Sequence, residues 1–341
     1  MRILGIESTC DETAAAVVEN GSDILSNIVA SQQDLHERFG GVVPELACRR
    51  HIEVMLPVIK KALSEAGTTL DGIDLIAASF APGLIGAIMI GLSCAKALSL
   101  ATGIPFIGVN HVEAHLYAAL MGNANPKFPC IGVVLSGGHT SILLMEEIGR
   151  YRLIGETQDD AVGEAFDKVA KMMGLPYPGG PLIEKLAEEG DPNAYPLKIG
   201  RVKDKPFDFS LSGLKTGVLY TLKGQNKSGI AEMLTLKEKQ NVAASFQRVV
   251  FEDIRQKVQK AAEDYGASTL LFGGGVTNNL ALRNYLTAKM PHYNLIFPPA
   301  ALTLDNAAMI AGLAYHQWQR KKQGDPFHLE PVSRLAFHLA T

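Results

Sequence analysis

The chain has 341 residues, too many for one small core, so its length points to two domains or one two-lobed unit. With 47% apolar residues, 20% charged residues and 33 glycines it reads as a globular α/β protein, which excludes the disordered and fibrous classes. A net charge of −3 leaves no electrostatic footprint for nucleic acid, and four scattered cysteines (Cys10, Cys48, Cys94, Cys130) without C-x-x-C spacing argue against a disulfide framework or a thiolate zinc site.

In chain order, Arg2–Glu7 predicts a strand, Ser8–Glu12 a polar turn and Thr13–Glu19 a second strand. Asn20-Gly21 is a hairpin signal into a third strand near Ile24–Ala30. The apolar run before Glu7 is too short for a signal peptide. Pro44 opens a helix that ends near Gly67. Leu75–Ala95 holds 21 residues without a charge, long enough to cross a bilayer, but Ala81-Pro82-Gly83 interrupts it. A buried strand, Leu75–Phe80, and a buried helix, Leu84–Thr102, are expected in place of a membrane span. Phe106–Val109 then delivers Asn110 to a helix carrying His111 and His115.

A loop at Gly122–Pro129 separates the halves: residues 1–125 form an N-terminal lobe, completed by the last helix at about 305–330, and residues 126–304 a C-terminal lobe. The opening pattern then recurs about 128 residues on, as a strand Cys130–Leu135, a turn Ser136-Gly137-Gly138-His139 and a returning strand Thr140–Glu146, with a third near Tyr151–Gly155. Helices are expected at Ala161–Met173 and from the Pro176–Gly180 turn to about Glu189. Residues 190–208 are proline-rich and charged without period, and open an excursion that runs to about 235. Helices near Leu211–Leu222 and Lys237–Tyr265 lead to a strand Thr269–Phe272, the run Gly273-Gly274-Gly275, a helix, a strand Asn294–Phe297 and a last helix from about Asp305 to Lys321.

His111 and His115 stand one helical turn apart, so both imidazoles share a face and a metal is within their reach; H-x-x-x-H also arises by chance on helices. In a zinc hydrolase with H-E-x-x-H the glutamate adjoins the first histidine, whereas Glu113 lies about 200° around the helix from each of these two, which removes a protease mechanism. Gly137-Gly138 and Gly273-Gly274-Gly275 allow a phosphate close to bare backbone amides, yet match neither a dinucleotide fingerprint nor a P-loop. Two such loops on duplicated scaffolding suit an ATP-like phosphate chain held between two lobes. Asp305 reads either as a first-turn acid of the last helix or as the third member of a two-histidine, one-carboxylate set. Asp11 and Glu12 read as solvated turn acids or as carboxylates beside a phosphate and metal. Asp159, Asp160, Glu164 and Asp167 read first as helix-surface acids, and the Arg49-Arg50, Lys60-Lys61 and Lys321-Lys322 pairs as solvated faces.

The segments Glu7–Thr13 (ESTCDET), Phe39–Ala47 (FGGVVPELA), His111–His115 (HVEAH), Ser136–Thr140 (SGGHT), Gly163–Lys168 (GEAFDK), Tyr177–Pro181 (YPGGP), Phe209–Thr216 (FSLSGLKT) and Asp305-Asn306, in this order, resemble the TsaD family of tRNA adenosine threonylcarbamoyltransferases from residue 1 to about 320. The resemblance implies a two-lobed actin-like ATPase (ASKHA) fold with a duplicated β-hairpin/α core. It implies an acyltransferase that moves L-threonylcarbamoyl from threonylcarbamoyl-AMP to N6 of adenosine 37 in tRNAs reading codons that begin with adenine, with a small-molecule kinase or ATPase of the same fold as the alternative. Within that reading His111, His115 and Asp305 bind one divalent metal per subunit, iron(II) ahead of zinc. Val134, Leu135, Ser136, Gly137, Gly138, Asp167, Gly180, Glu184 and Asn279 hold the adenylate, and Asp11 lies beside metal and phosphate as the catalytic candidate. The implied partners are tRNA, the paralogue TsaB and the ATPase TsaE, in the cytoplasm and without a membrane. The noncatalytic paralogue lacks the histidine pair, so this chain is expected to be the catalytic subunit. Ala81, Ala307 and Thr277-Asn278 depart from the family's usual residues without removing an implied ligand.

Overall fold

A computed structural model describes residues 1–121, 125–223 and 234–334; part of the expected interlobe loop and the end of the 190–235 excursion lie outside the described residues. Two compact units divide the chain, one of Met1–Asn125, Glu147–Tyr151 and Ile296–Thr341, the other of Pro126–Glu146 and Arg152–Leu295, so the second boundary falls before residue 296 and not at 304.

In the first unit β1 (Arg2–Glu7), β2 (Glu12–Glu19), β3 (Asp23–Ser31), β4 (Leu75–Ala81) and β5 (Phe106–Asn110) form one sheet in the order β3-β2-β1-β4-β5. The β1–β2 and β2–β3 pairs are antiparallel, and β4 lies parallel to both β1 and β5. Strand alternation sorts the apolar residues onto two faces. Ile3, Ala14, Ala16, Val18, Leu75 and Ala77 join the core beneath α4 (His111–Leu120) and α10 (Ala307–Lys321). Leu4, Ile6, Ala15, Val17, Ile76 and Ala78 join the core beneath α2 (Pro44–Glu65) and α3 (Ile85–Thr102). With both faces covered, the interiors of β1, β2, β4 and β5 are buried and mostly apolar, whereas the edge strand β3 keeps polar and exposed residues. A five-residue helix, α1 (Gln33–Glu37), has no counterpart in the sequence pattern, being too short for any helical period to register.

The apolar stretch at Leu75–Ala95 becomes strand, turn and helix as expected, but α3 is not buried on all sides. Ala87, Ile88, Leu92 and Ala95 face the core, whereas Ile85, Met89 and Leu100 are exposed. Among the described residues this is the one helix long and apolar enough to cross a membrane, and a third of it is buried.

In the second unit β6 (Cys130–Leu135), β7 (Thr140–Glu147), β8 (Arg150–Glu156), β9 (Thr269–Gly273) and β10 (Asn294–Ile296) form a sheet in the order β10-β9-β6-β7-β8. Read from β8, this is the first sheet's order repeated: an antiparallel hairpin followed by a parallel neighbour, β6 against β9. Its helices are α5 (Val162–Met172), α6 (Gly180–Ala187), α7 (Ser212–Lys223), α8 (Leu236–Tyr265) and α9 (Leu280–Lys289). Residues 190–208 carry neither helix nor strand, while the later part of the excursion contains α7. The last helix ends at Lys321, as its sequence span predicts and short of the 330 given for the segment that completes the lobe; there Lys322 turns left-handed and its amide donates to the Trp318 carbonyl.

Candidate functional site

In the first unit, β5 ends at Asn110, whose side chain accepts the amides of Val112 (2.9 Å) and Glu113 (3.2 Å) and so starts α4 at His111. Both histidines are buried, with ring centroids 4.6 Å apart. Asp305 reaches them from the loop before α10, its Oδ1 lying 3.1 Å from His115 Nε2 and 3.5 Å from His111 Nε2. One ligand atom from each of the three lies within 4.8 Å of the others. Asp305 does not cap α10: Asn306 does, accepting from the amide of Met309 at 3.1 Å, which leaves the aspartate to the histidines.

Glu7, which carries no role in the sequence reading, stands behind His111. It is fully buried at the end of β1, accepts the amide of Thr9 through Oε1 (2.5 Å), and places Oε2 2.9 Å from His111 Nδ1. A charged residue closing an otherwise apolar buried strand, Ile3-Leu4-Gly5-Ile6-Glu7, was the available signal. Burial opposes a charge on His111, but Glu7 and Asp305 outweigh it and carry the imidazole up to about 9. His115 is held down by burial and by the charge of His111. Burial, then the charges of Asp305 and Asp11, pushes the Glu12 carboxyl up to about 9. Asp11 is half-buried in the turn after β1, where its carbonyl accepts the amide of Gln32 at 3.0 Å. Two imidazoles and the Asp305 carboxylate, with Glu7 behind His111, form an N,O donor set that fits a divalent cation.

Glu113 is buried on α4, away from this cluster. Burial raises its carboxyl to about 7 despite Arg320, and Oε1 has no hydrogen-bond partner among the described residues. That environment matches the expectation that it does not serve the histidine face.

The second unit supplies a different kind of surface. The C-terminal ends of parallel neighbours β6 and β9 lie side by side, Val134 opposite Gly273, so the two glycine turns emerge together. Ligands of α/β sheets characteristically bind at such strand ends. Gly274 has φ +90°, and a Cβ on it would lie 2.5 Å from the carbonyl oxygen of Leu135; only glycine lets the second turn sit against the first. The Ser136 carbonyl accepts the amide of Gly163 at 3.1 Å, which seats the first turn of α5 against the same loop. By contrast, a Cβ on Gly137, Gly138 or Gly180 would meet nothing within 4 Å. These three positions line open space where a ligand can approach the backbone.

The remaining expected adenylate residues surround the loops but also serve the scaffold. Asp167 Oδ1 accepts the Gly179 amide (2.7 Å) at the start of α6. Glu184 Oε1 accepts the amides of Leu280 (2.7 Å) and Ala281 (3.2 Å), and Asn279 accepts that of Leu282 (2.8 Å), so both cap α9. The Asn279 amide also donates to Gln247 Oε1 at 3.3 Å, a buried residue of α8 absent from the sequence reading because one polar residue in a long helix carries no pattern. Asp159, read as a helix-surface acid, instead accepts from Ser210 Oγ (2.6 Å), the Leu211 amide (2.7 Å) and Ser212 Oγ (2.7 Å) and fixes the start of α7.

Comparison with known proteins agrees with this geometry. A curated relative from Protochlamydia amoebophila (strain UWE25), named tRNA N6-adenosine threonylcarbamoyltransferase, is 59% identical over 337 residues, 98% of each chain. A second of the same name, from Symbiobacterium thermophilum, is 49% identical over 319 residues, covering 93% of this chain and 92% of the relative. Among solved structures, HypF of T. kodakarensis covers 94% of this chain with 48% of its own length at TM-score 0.61 and 14% identity. Component A of the Acidaminococcus fermentans (R)-2-hydroxyglutaryl-CoA dehydratase covers 93% with 98% of its own length at TM-score 0.52 and 13% identity. At such identities these two show the fold, the actin-like ATPase fold. The profile of TsaD, tRNA N6-adenosine threonylcarbamoyltransferase, matches residues 23–312, and the chain belongs to that family.

Proposed function

We propose that this chain transfers the L-threonylcarbamoyl group of threonylcarbamoyl-AMP to the N6 amine of adenosine 37 in tRNAs that read codons beginning with adenine, releasing AMP. The observation that carries the reading is the convergence of His111, His115 and Asp305 within 4.8 Å in a chain of the TsaD family. The family implies a metal, and this donor set fits iron(II) first and zinc second, since two imidazoles and one carboxylate leave positions open for substrate. When bound, the ion supplies Lewis acidity toward phosphate and carbonyl oxygens.

The donor is a mixed anhydride of a carbamic acid and a phosphate, already activated. N6 attacks the carbamoyl carbon, the bond from that carbon to the phosphate oxygen breaks, the amine loses a proton and AMP departs. No covalent protein nucleophile is required, and the thiols are poor candidates for one. Burial, helped by Asp11 and Asp305, pushes Cys10 well up, and burial carries Cys130 to about 12 and raises Cys48 and Cys94. What the chain contributes is position and charge stabilisation. Backbone amides of the Ser136–Gly138 turn meet the phosphate, Val134 and Leu135 form its strand support, and Asp167, Gly180, Glu184 and Asn279 frame the nucleoside. Asp11, in the turn after the strand that ends at Glu7, is the catalytic candidate of this reading. The paralogue TsaB and the ATPase TsaE are the protein partners in this reading, and the reaction belongs in the cytoplasm.

The test is mass spectrometry of tRNA nucleosides after incubation with threonylcarbamoyl-AMP and the partner proteins. Threonylcarbamoyladenosine that appears with the wild type and vanishes with His111→Ala supports the function. Absence of that product with the wild type overturns the function, and product formed equally by a metal-stripped His111→Ala protein overturns the part given to the metal.

A further inference from the structure

Building on the metal reading above, we propose that Glu7 is a positioning residue that keeps a proton on Nδ1 of His111 and thereby turns a bare Nε2 toward the ion. The carboxylate makes two bonds, and both are accepted ones: Thr9 N–H to Oε1 at 2.5 Å, and His111 Nδ1 to Oε2 at 2.9 Å. A carboxylate has no proton to give, so the ring atom facing it is the N–H, whatever Nε2 carries. Thr9 Oγ1 lies 3.2 Å from the same nitrogen, but a hydroxyl adapts to either role and does not decide the tautomer. His115 has no equivalent: its Nδ1 is without a hydrogen-bond partner among the described residues.

The carboxylate is held in place by the turn that follows it. Ser8 Oγ donates to the Ala87 carbonyl (2.9 Å), and the Leu84 amide donates to the Thr9 carbonyl (2.8 Å). Gly83 packs so closely on Thr9 that a Cβ would come within 2.6 Å of that carbonyl. His51 Nε2 meets the Cys10 carbonyl at 3.0 Å, tying the same turn to α2. A carboxylate fixed behind a ligating imidazole sets the ring's tautomer, its orientation and its basicity, and loss of such a partner typically weakens metal binding about 10- to 100-fold.

Glu7→Gln tests this at nearly constant volume. Glutamine has one acceptor oxygen for two donors, and the Thr9 amide cannot yield its proton, so the side-chain NH2 faces Nδ1 and drives the imidazole proton to Nε2. Zinc affinity is read by competition with a chromophoric chelator, with no reference to catalysis. The variant is expected to bind about 10- to 100-fold more weakly than wild type. Equal affinity in the two proteins overturns the role of Glu7 while leaving the metal site intact, whereas a wild type that binds no zinc overturns the metal reading and this role with it. Long-range proton–nitrogen correlation on zinc-loaded wild type, labelled at histidine nitrogens and assigned with His111→Ala, gives an answer even if the variant does not fold. Nδ1–H with a metal-bound Nε2 at His111 supports the proposal, and the opposite tautomer overturns it.

Discussion

The turn between β1 and β2 and the turn between β6 and β7 hold the same place in two sheets of the same order, and they solve different problems. Ser8–Asp11 is crowded with side chains. Gly91 lacks a Cβ because one would lie 2.3 Å from Ser8 Oγ, and Gly83 lacks one because of Thr9. Ser136–His139 is bare at its tip, where a Cβ on Gly137 or Gly138 meets nothing. The imidazoles and carboxylates that suit a transition-metal cation are side chains; a phosphate is satisfied by N–H groups, which the backbone provides once side chains are out of the way. The same strand order thus appears twice, with a turn crowded by side chains in the first sheet and one bare at its tip in the second.

The sharpest way to break this comparison is to remove charge from the first turn's partners. His111→Ala and Asp305→Ala are expected to abolish both bound metal and tRNA modification while the proteins stay folded, measured by metal content, product mass spectrometry and circular dichroism. Removing one ligand of three leaves the others too few to hold the ion. A variant that keeps its metal would show that the charge cluster is not the site.

The second turn, and the glycine loop after β9 that packs against it, are tested by adding bulk instead. Gly274→Ala places a Cβ 2.5 Å from the Leu135 carbonyl at φ +90° and ψ 157°, so it combines a backbone strain of about 1–3 kcal/mol with a backbone clash. A loss of about 2–4 kcal/mol in chemical denaturation is expected. Gly137→Ala meets no atom, so stability should stay within about 0.5 kcal/mol while KM for threonylcarbamoyl-AMP rises several-fold. If Gly137→Ala left KM unchanged, the open space beside it would not be where the adenylate lies.

Much of this contrast is legible in the sequence, because it is written in local chemistry. Strand and helix spans follow from apolar period and from Gly and Pro punctuation: Arg2–Glu7 and Cys130–Leu135 begin and end where expected. The histidine pair is legible because both members sit on one helix. Asp305 stays ambiguous for a physical reason: it is 190 residues from His115, and only the fold reveals that Asn306 takes the cap. Glu7 and Gln247 go unread because each acts through a single long-range bond that leaves no periodic trace. The exposure of Ile85, Met89 and Leu100 is hidden for the opposite reason, since an uncharged helix looks the same whether one face or all of it is covered.

The smallest expected effect separates the two units by acid sensitivity. In the first, His51 is buried, with Nδ1 2.8 Å from Thr13 Oγ1 and Nε2 3.0 Å from the Cys10 carbonyl, and burial lowers its pKa below 6.5. A depressed folded-state pKa means that the unfolded chain takes up the proton first. Stability is therefore complete above about pH 6.5 and falls as pH drops through the lower folded value. One proton limits the slope to about 1.4 kcal/mol per pH unit, and His115, lowered in the same direction, adds to it in the metal-free protein. In the second unit Glu252 is held down to about 2, by Arg255 above all and also by Tyr285 and Gln256, so its contribution persists until pH falls below about 4.5. Glu12 and Glu113, raised to about 9 and about 7, stabilise the first unit as pH falls toward about 4.5 and oppose this loss, so the histidine is read by difference. Between about pH 7 and 4.5, first-unit amide protection in hydrogen exchange should fall less, or rise more, in metal-free His51→Gln than in the metal-free wild type, with second-unit protection the same in both. Identical first-unit profiles in the two proteins would remove the buried histidine from the account.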